Sequence, residues 1–411
     1  MNFMEILDNT LTSIKSYINI DKYKLTPRAF SMNGIWSFFD YVLFILTNNG
    51  KTLTLEIENF VEDYFDDEYK LITKEAVSKQ RQTFSYEIFK DMNKDFVIDF
   101  YKSEEYSPII DGKIVVIIDG SKSEIPNTPE SKEWANIKEN SLTNKKAART
   151  LFSTIIDAKY GIILDSILGK SDSSERDLLK QHIENIKNLV DLNDLILVVD
   201  AGYYSLELKL FLEKMGVNYI FRLAPNVYEK EISKMSSLDE NLKIANTSNR
   251  RQNISDEELL EQAKELQWIE ARILKLPIKN NENTDNKDSE DSENEELILL
   301  TDLPEDEYNT LQIAELYEDR WEIEVNYDRL KNKMELENYS GKLELTISQD
   351  FYSKVFIFNL AMILRNNIHK HLERKNVKKR EKEGKEYQTN MNTLIGRIKN
   401  KLIQLFTSDS E

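Results

Sequence analysis

Lys113–Ser121, KIVVIIDGS, and Leu195–Gly202, LILVVDAG, are two short apolar runs that each end in an aspartate followed by a small residue. Runs this short and this rich in Val and Ile, closed by turn residues, read as buried strands. Leu151–Ala158 and Ile162–Leu168 read as two more strands, joined by the tight turn Lys159-Tyr160-Gly161. Ser171–Ser174 then opens a helix running to about Val190. A helix near Leu206–Met215 and a strand at Tyr219–Leu223 complete the order β-β-β-α-β-α-β. If the first and fourth strands lie side by side and parallel, Asp119 and Asp200 meet at their carboxyl ends, where open α/β sheets place their sites. Either aspartate alone also reads as an ordinary turn or cap residue. The pair is the stronger signal.

Downstream, Ile313–Met334 (IAELYEDRWEIEVNYDRLKNKM) has the spacing of one amphipathic helix. At about 100° per residue, Tyr317, Arg320, Glu324 and Lys331 share a stripe roughly 60° wide. Leu316, Ile323, Tyr327, Leu330 and Met334 form an apolar stripe beside it. The helix therefore offers a phenol, a carboxylate and two cations along the edge of its core-facing side. Surface helices normally scatter charge opposite the core, although Arg320 and Glu324 also read as a plain i,i+4 pair. Glu322, at about 140°, lies well off the stripe.

The 411 residues suffice for two or three domains, and 40% hydrophobic with 31% charged residues describes a globular chain. With no cysteine there is no disulfide, thiolate metal site or cysteine nucleophile, which suits a reducing cytoplasm. The N-terminus lacks a signal-peptide pattern, and Ile35–Leu46 and Val355–Leu364 are too short to span a bilayer, so no membrane partner is expected. The net charge of −18 runs against nucleic-acid binding. It is uneven, however. Asn281–Leu297 holds eight acids and one lysine, whereas Lys370–Leu402 holds eleven Lys/Arg against four Glu.

Residues 1–107 read as a helical region. Within it, Leu71–Phe89 is a helix-turn-helix candidate with Thr73 as N-cap, and Lys79 and Arg81 are of the types that contact DNA. The same residues also suit a solvated face. Residues 108–223 form the α/β part. In 224–302, two strands (Gln267–Leu276 and Glu296–Leu300) flank the acidic low-complexity run Asn280–Glu295, read as a mobile tip. Residues 303–345 carry the glutamate helix. Helices Ser348–Leu372 and Thr393–Phe406 fill 346–411, with basic Lys375–Lys385 between them.

The stripe Tyr317-x2-Arg320-x3-Glu324-x6-Lys331 resembles the Y-R-E-K signature of prokaryotic insertion-sequence DDE transposases of the IS-four type, with every spacing kept. IDGSK at Ile118–Lys122 resembles that family's first-aspartate motif. DAGYYS at Asp200–Ser205 resembles its D-R-G-Y-x-S motif, with Ala201 where Arg is usual. The resemblance implies a ribonuclease H-like catalytic domain with an inserted β-rich subdomain, flanked by helical N- and C-terminal regions. It implies Asp119, Asp200 and Glu324 as catalytic residues and ligands of two Mg2+ ions, with Mn2+ as a substitute. Tyr317, Arg320 and Lys331 would hold DNA phosphates or flipped bases. The implied partners are double-stranded DNA, as terminal inverted repeats and target, and a second copy of the chain. The implied setting is the cytoplasm at the nucleoid. The alternative is a transposase-derived DNA-binding protein that no longer cuts.

Overall fold

The structure, a computed structural model, describes residues 1–14, 20–31, 34–110, 112–137, 147–277, 296–383 and 389–407. Five helices come first: α1 (Phe3–Ser13), α2 (Phe38–Thr47), α3 (Leu53–Phe60), α4 (Lys74–Arg81) and α5 (Glu87–Tyr101). Strand β1 (Ile114–Ile125), helix α6 (Pro129–Trp134), and strands β2 (Ala148–Asp157) and β3 (Ile163–Leu168) follow. Next are α7 (Glu175–Ile186), β4 (Leu195–Val199), α8 (Leu206–Met215) and β5 (Asn218–Arg222). The segment after β5 holds α9 (Glu229–Ile232), β6 (Asp239–Ala245), α10 (Ser248–Arg251), α11 (Glu257–Glu265), β7 (Trp268–Pro277) and β8 (Glu296–Thr301). The chain closes with α12 (Thr310–Glu318), α13 (Trp321–Asp328), α14 (Glu344–Glu383) and α15 (Met391–Thr407).

All eight strands join one mixed sheet in the order β3-β2-β1-β4-β5-β8-β7-β6. Only the β1–β4 and β4–β5 ladders are parallel; the remaining ladders are antiparallel. Every residue of β4 is buried, as a strand covered on both faces requires. Helix α7 packs on β1–β3, α8 on β5, α13 over β1, and α5 and α14 on β3. The main apolar core runs from α1 through the sheet to α14 and α15, and a small second cluster gathers Ile125, Ala135, Ile137, Ala148 and Ile347.

The expected order β-β-β-α-β-α-β is present apart from the short helix α6 between β1 and β2, and β1 and β4 are parallel neighbours. Three details differ from the expectation. First, β1 does not end at Asp119: its pairing with β2 carries it on to Ile125, so Asp119 marks only the end of its pairing with β4. Second, Ile313–Met334 is not one uniform helix. Hydrogen bonds tighten to i→i+3 at Arg320, Glu322 and Ile323, then widen to i→i+5 between Met334 and Arg329. Burial and repulsion from Glu322, Glu318 and Glu315 push the Asp319 carboxyl up to about 6, marking the crowded acidic turn where α12 stops. Third, the segment after β5 gains β6 and three short helices, and its strands extend the central sheet. The run Asn280–Glu295 lies outside the described residues, as do the side chains of Lys375–Lys385.

Helices α4 and α5 do enclose a short turn, and the Thr73 hydroxyl accepts from Ala76 N–H at 3.2 Å as the N-cap. Lys79 is exposed. Arg81 is not available to DNA in this arrangement. Its side chain is 2% exposed and ion-pairs with Asp350 at 2.7 Å. It also donates to Gln349, Ser340 and the Thr346 carbonyl, while Gln349 returns bonds to the Arg81 and Phe84 carbonyls. The residue thus fastens the N-terminal helices to α14. Removing one partner of a buried pair strands the other charge. Arg81→Ala should therefore lower unfolding free energy by about 3–5 kcal/mol, whereas exposed Lys79→Ala should stay within about 0.5 kcal/mol of the parent. Urea titration of both variants checks this, and equal small effects would show the lock to be unimportant.

Candidate active site

The parallel ladder between β1 and β4 pairs Ile117 with Val198. Two residues further along each strand stand Asp119 and Asp200, so the two aspartates are level on neighbouring strands. Each carboxylate accepts its following backbone N–H at 2.8 Å, from Gly120 and Ala201 respectively. The backbone at Asp119 is held from behind, since Ser153 Oγ donates to its carbonyl at 3.2 Å. Tyr327 donates to the same carbonyl and accepts from Thr154 Oγ1. Because Tyr327 is on α13, the glutamate helix is hydrogen-bonded directly to the strand that carries the first aspartate.

The polar stripe then arrives at the strand tips. Tyr317 Oη donates to Asp200 Oδ1 at 3.4 Å, and Arg222 Nη1 lies 3.5 Å from the same oxygen. Arg320 Nη2 lies 3.2 Å from Glu324 Oε1, so the i,i+4 pair is formed. The Arg320 guanidinium also acts electrostatically on Asp119, so it reaches beyond its helix neighbour. Lys331 donates to Ser121 Oγ at 2.7 Å and to the Lys122 carbonyl at 2.8 Å, against the Phe152 ring. The apolar stripe is buried as expected at Leu316, Ile323, Tyr327, Leu330 and Met334. Glu322 turns away toward Arg329, 3.9 Å distant.

Burial pushes the Asp119 carboxyl up to about 6; the Gly120 N–H and Arg320 oppose the rise, and Glu175 and Asp200 add to it. All the oxygen donors here are carboxylates, the hard ligands that divalent ions such as Mg2+ prefer. Among the described residues no three acidic or histidine side chains converge closely enough to hold an ion. Glu324 is instead drawn to Arg320, and Asp200 to Arg222 and Tyr317. A second observation fits a bound group: the hydroxyl of Tyr203, a residue 2% exposed, has no partner. The charges acting on it most strongly are Asp119 and Glu175. Asp119 and Asp200 at the strand tips are thus the residues best placed to hold a divalent ion, while Arg320, paired with Glu324, acts electrostatically on Asp119.

Three contributors escaped the sequence reading. Arg222 had a usable signal, an arginine at the carboxyl end of the strand after Asp200. Tyr327 was assigned to the apolar stripe, which hides its hydroxyl's work. Glu175 needs the sheet to be assembled before its position means anything, whereas Tyr203 lies within the DAGYYS motif and only its buried hydroxyl is new. A separate hollow of about 790 Å3, lined by Glu213, Tyr219 and Asp302 among others, lies toward the opposite end of β5.

A family model described as the transposase DDE domain matches residues 110–360, which includes both aspartates and the glutamate helix. The chain belongs to the transposase DDE domain family, whose members generally use divalent metal ions. Among curated relatives, the InsL protein of insertion sequence element IS186A from Escherichia coli (strain K12) is 46% identical over 46 residues, 11% of this chain and 12% of that one. The transposase of insertion sequence element IS421 from Escherichia coli matches to the same extent. The chain thus spans only 12% of the length of these relatives. A solved piggyBac transposase synaptic complex with hairpin DNA aligns over 100% of this chain and 81% of its own, at a TM-score of 0.47 and 11% identity. No helix of the described residues is long and apolar enough to cross a membrane.

The raised Asp119 carboxyl has a consequence for stability. Its folded-state value lies above its ordinary one of 3.8, so the ionised form is disfavoured by folding. That cost is absent below about pH 4 and fully present above about pH 6. Asp119→Asn should therefore stabilise the protein at pH 8 by about 2–3 kcal/mol, and the gain should fade as the pH falls from 6 to 4. Denaturant titrations at several pH values check this. A gain independent of pH would contradict the buried-charge account.

Proposed function

We propose that this protein is a metal-dependent DNA transposase that cleaves at its element's ends and joins them to target DNA. The observation carrying this reading is the meeting of Asp119 and Asp200 on neighbouring strands, with the Tyr317–Lys331 stripe laid against them. Asp119, Asp200 and Glu324 are the proposed metal ligands. Two bound Mg2+ ions, or Mn2+ in their place, supply activation of the attacking oxygen and stabilisation of the leaving one in in-line phosphodiester displacement. Asp119, level with Asp200 and within the field of Arg320, is suited to serve as the shared ligand. Tyr317, Arg320 and Lys331 orient the DNA backbone beside the carboxylates. The side chain of Trp321, 62% exposed and stacked near Arg320 at 5.5 Å, offers a ring face to an unpaired base.

The strand order β3-β2-β1-β4-β5, with β2 alone antiparallel to both neighbours among these five, supports the ribonuclease H-like reading of residues 108–223 and 303–345. Residues 224–302 are read as its β-rich insertion, 1–107 as a DNA-binding helical region that includes Lys79, and 346–411 as the helical C-terminal region. The basic run Lys375–Lys385 is the proposed path for phosphates that the net charge conceals. The working form on DNA is proposed to be a homodimer at the nucleoid, engaging terminal inverted repeats and then target duplex.

The second reading, a DNA-binding descendant without cleavage activity, is disfavoured by the presence of all three acids. Incubation of the protein with labelled duplex carrying the inverted repeats that flank its gene distinguishes the two. Nicking at the repeat boundary with Mg2+, absent with EDTA and reduced at least a thousandfold in Asp119→Ala and Glu324→Ala while repeat binding persists, is the expected result. Retained Mg2+-dependent cleavage in either variant would overturn the ligand assignment, and specific binding without cleavage by the parent would favour the second reading.

A further inference from the structure

Glu175, the first residue of α7, stands over the backbone at Gly120, the residue that follows the first aspartate. A Cβ added at Gly120 would come within 2.5 Å of Glu175 Oε1. The glycine backbone is not in the left-handed region there. What the missing side chain provides is room for this carboxylate. Ser174 caps the helix by accepting from Asp177 N–H at 3.4 Å, which fixes where α7 begins and hence where Glu175 stands.

The carboxylate has found no cation. Arg176, its neighbour, turns to the Gly202 carbonyl instead. No hydrogen bond or ion pair engages the Glu175 carboxylate among the described residues. Yet its charge bears on Asp119 more strongly than that of Asp200 does, and it also bears on Tyr203 and Tyr327. A carboxylate placed beside another, with a tailored opening and no countercharge, is costly unless something positive is shared between them. The Tyr203 hydroxyl points to the same conclusion independently. Buried and without a partner, it sits in the field of Asp119, Glu175, Tyr327 and Asp200, where a water or phosphate oxygen on a bound cation would satisfy it.

We propose that Glu175 is a fourth carboxylate of the site, a ligand for the divalent cation shared with Asp119. This inference rests on the metal-dependent reading above. It adds to the Asp119, Asp200 and Glu324 set a residue that lies outside all three sequence motifs. Gly120 acts as its positioning residue, because any side chain there displaces the flexible end of Glu175.

The test is Mn2+ binding by the full chain, followed through the electron paramagnetic resonance signal of free Mn2+, with circular dichroism to verify folding of each variant. Glu175→Gln should weaken Mn2+ binding about tenfold or more. Gly120→Ala should do the same by moving the carboxylate, and Glu184→Gln on the exposed side of the same helix should bind like the parent. Asp119→Asn should lose the site. Parent-like binding in Glu175→Gln, with binding lost in Asp119→Asn, would overturn the role of Glu175 and leave the metal-dependent reading intact. Binding absent from the parent, or unaffected by Asp119→Asn, would overturn both.

Discussion

The parallel pairing of β1 with β4 is the constraint on which the other features depend. Both strands are apolar over the paired region and buried on both faces, so sliding either by one residue would exchange the side chains packed on opposite faces of the sheet. The register that preserves the core is the one that sets Asp119 level with Asp200. On the next strand the ladder pairs Val199 with Phe221, which sets Arg222 level with Asp200 and explains their ion pair. Burial of ordinary aliphatic residues thereby fixes the positions of three charged ones.

A group of like charges held this way needs local counterweights. Arg320 serves Glu324 and Asp119, Arg222 and Tyr317 serve Asp200, and Lys331 ties α13's continuation to the far end of β1. The widened turn at Arg329–Lys333 belongs to this arrangement. It keeps Leu330 and Met334 in the core while Lys331 meets Ser121 and the Lys122 carbonyl. Strain and unfavourable charge are common where structure serves chemistry rather than stability. The raised Asp119 carboxyl is the clearest case in this chain.

Much of this was legible in the sequence because two simple periodicities carry it. Short aliphatic runs ending in aspartate disclosed β1 and β4, and the 3.6-residue repeat disclosed which face of Ile313–Met334 is buried. Contacts between distant segments were not legible. Arg81 looks like a DNA-contacting residue at the end of a polar helix, yet its partners lie on a helix more than 250 residues later. Glu175 resembles any acid in the first turn of a helix. The strand β6 was missed because its residues (DENLKIA) are mostly polar, and it is held at the sheet edge by β7. Whole-chain charge was the least informative quantity, since the proposed chemistry depends on a few groups whose surroundings outweigh the sum.

The central claim, that the tips of β1 and β4 and helix α13 form one divalent-metal site, is tested most directly by replacing Mg2+ with Fe2+ and generating hydroxyl radicals at the bound ion. Backbone scission depends only on distance from the iron and not on catalytic turnover. Cuts clustered near Asp119, Asp200 and Glu324, all suppressed together by excess Mg2+, are the predicted result. Cuts at only one of these segments, or at unrelated positions that Mg2+ does not protect, would contradict it.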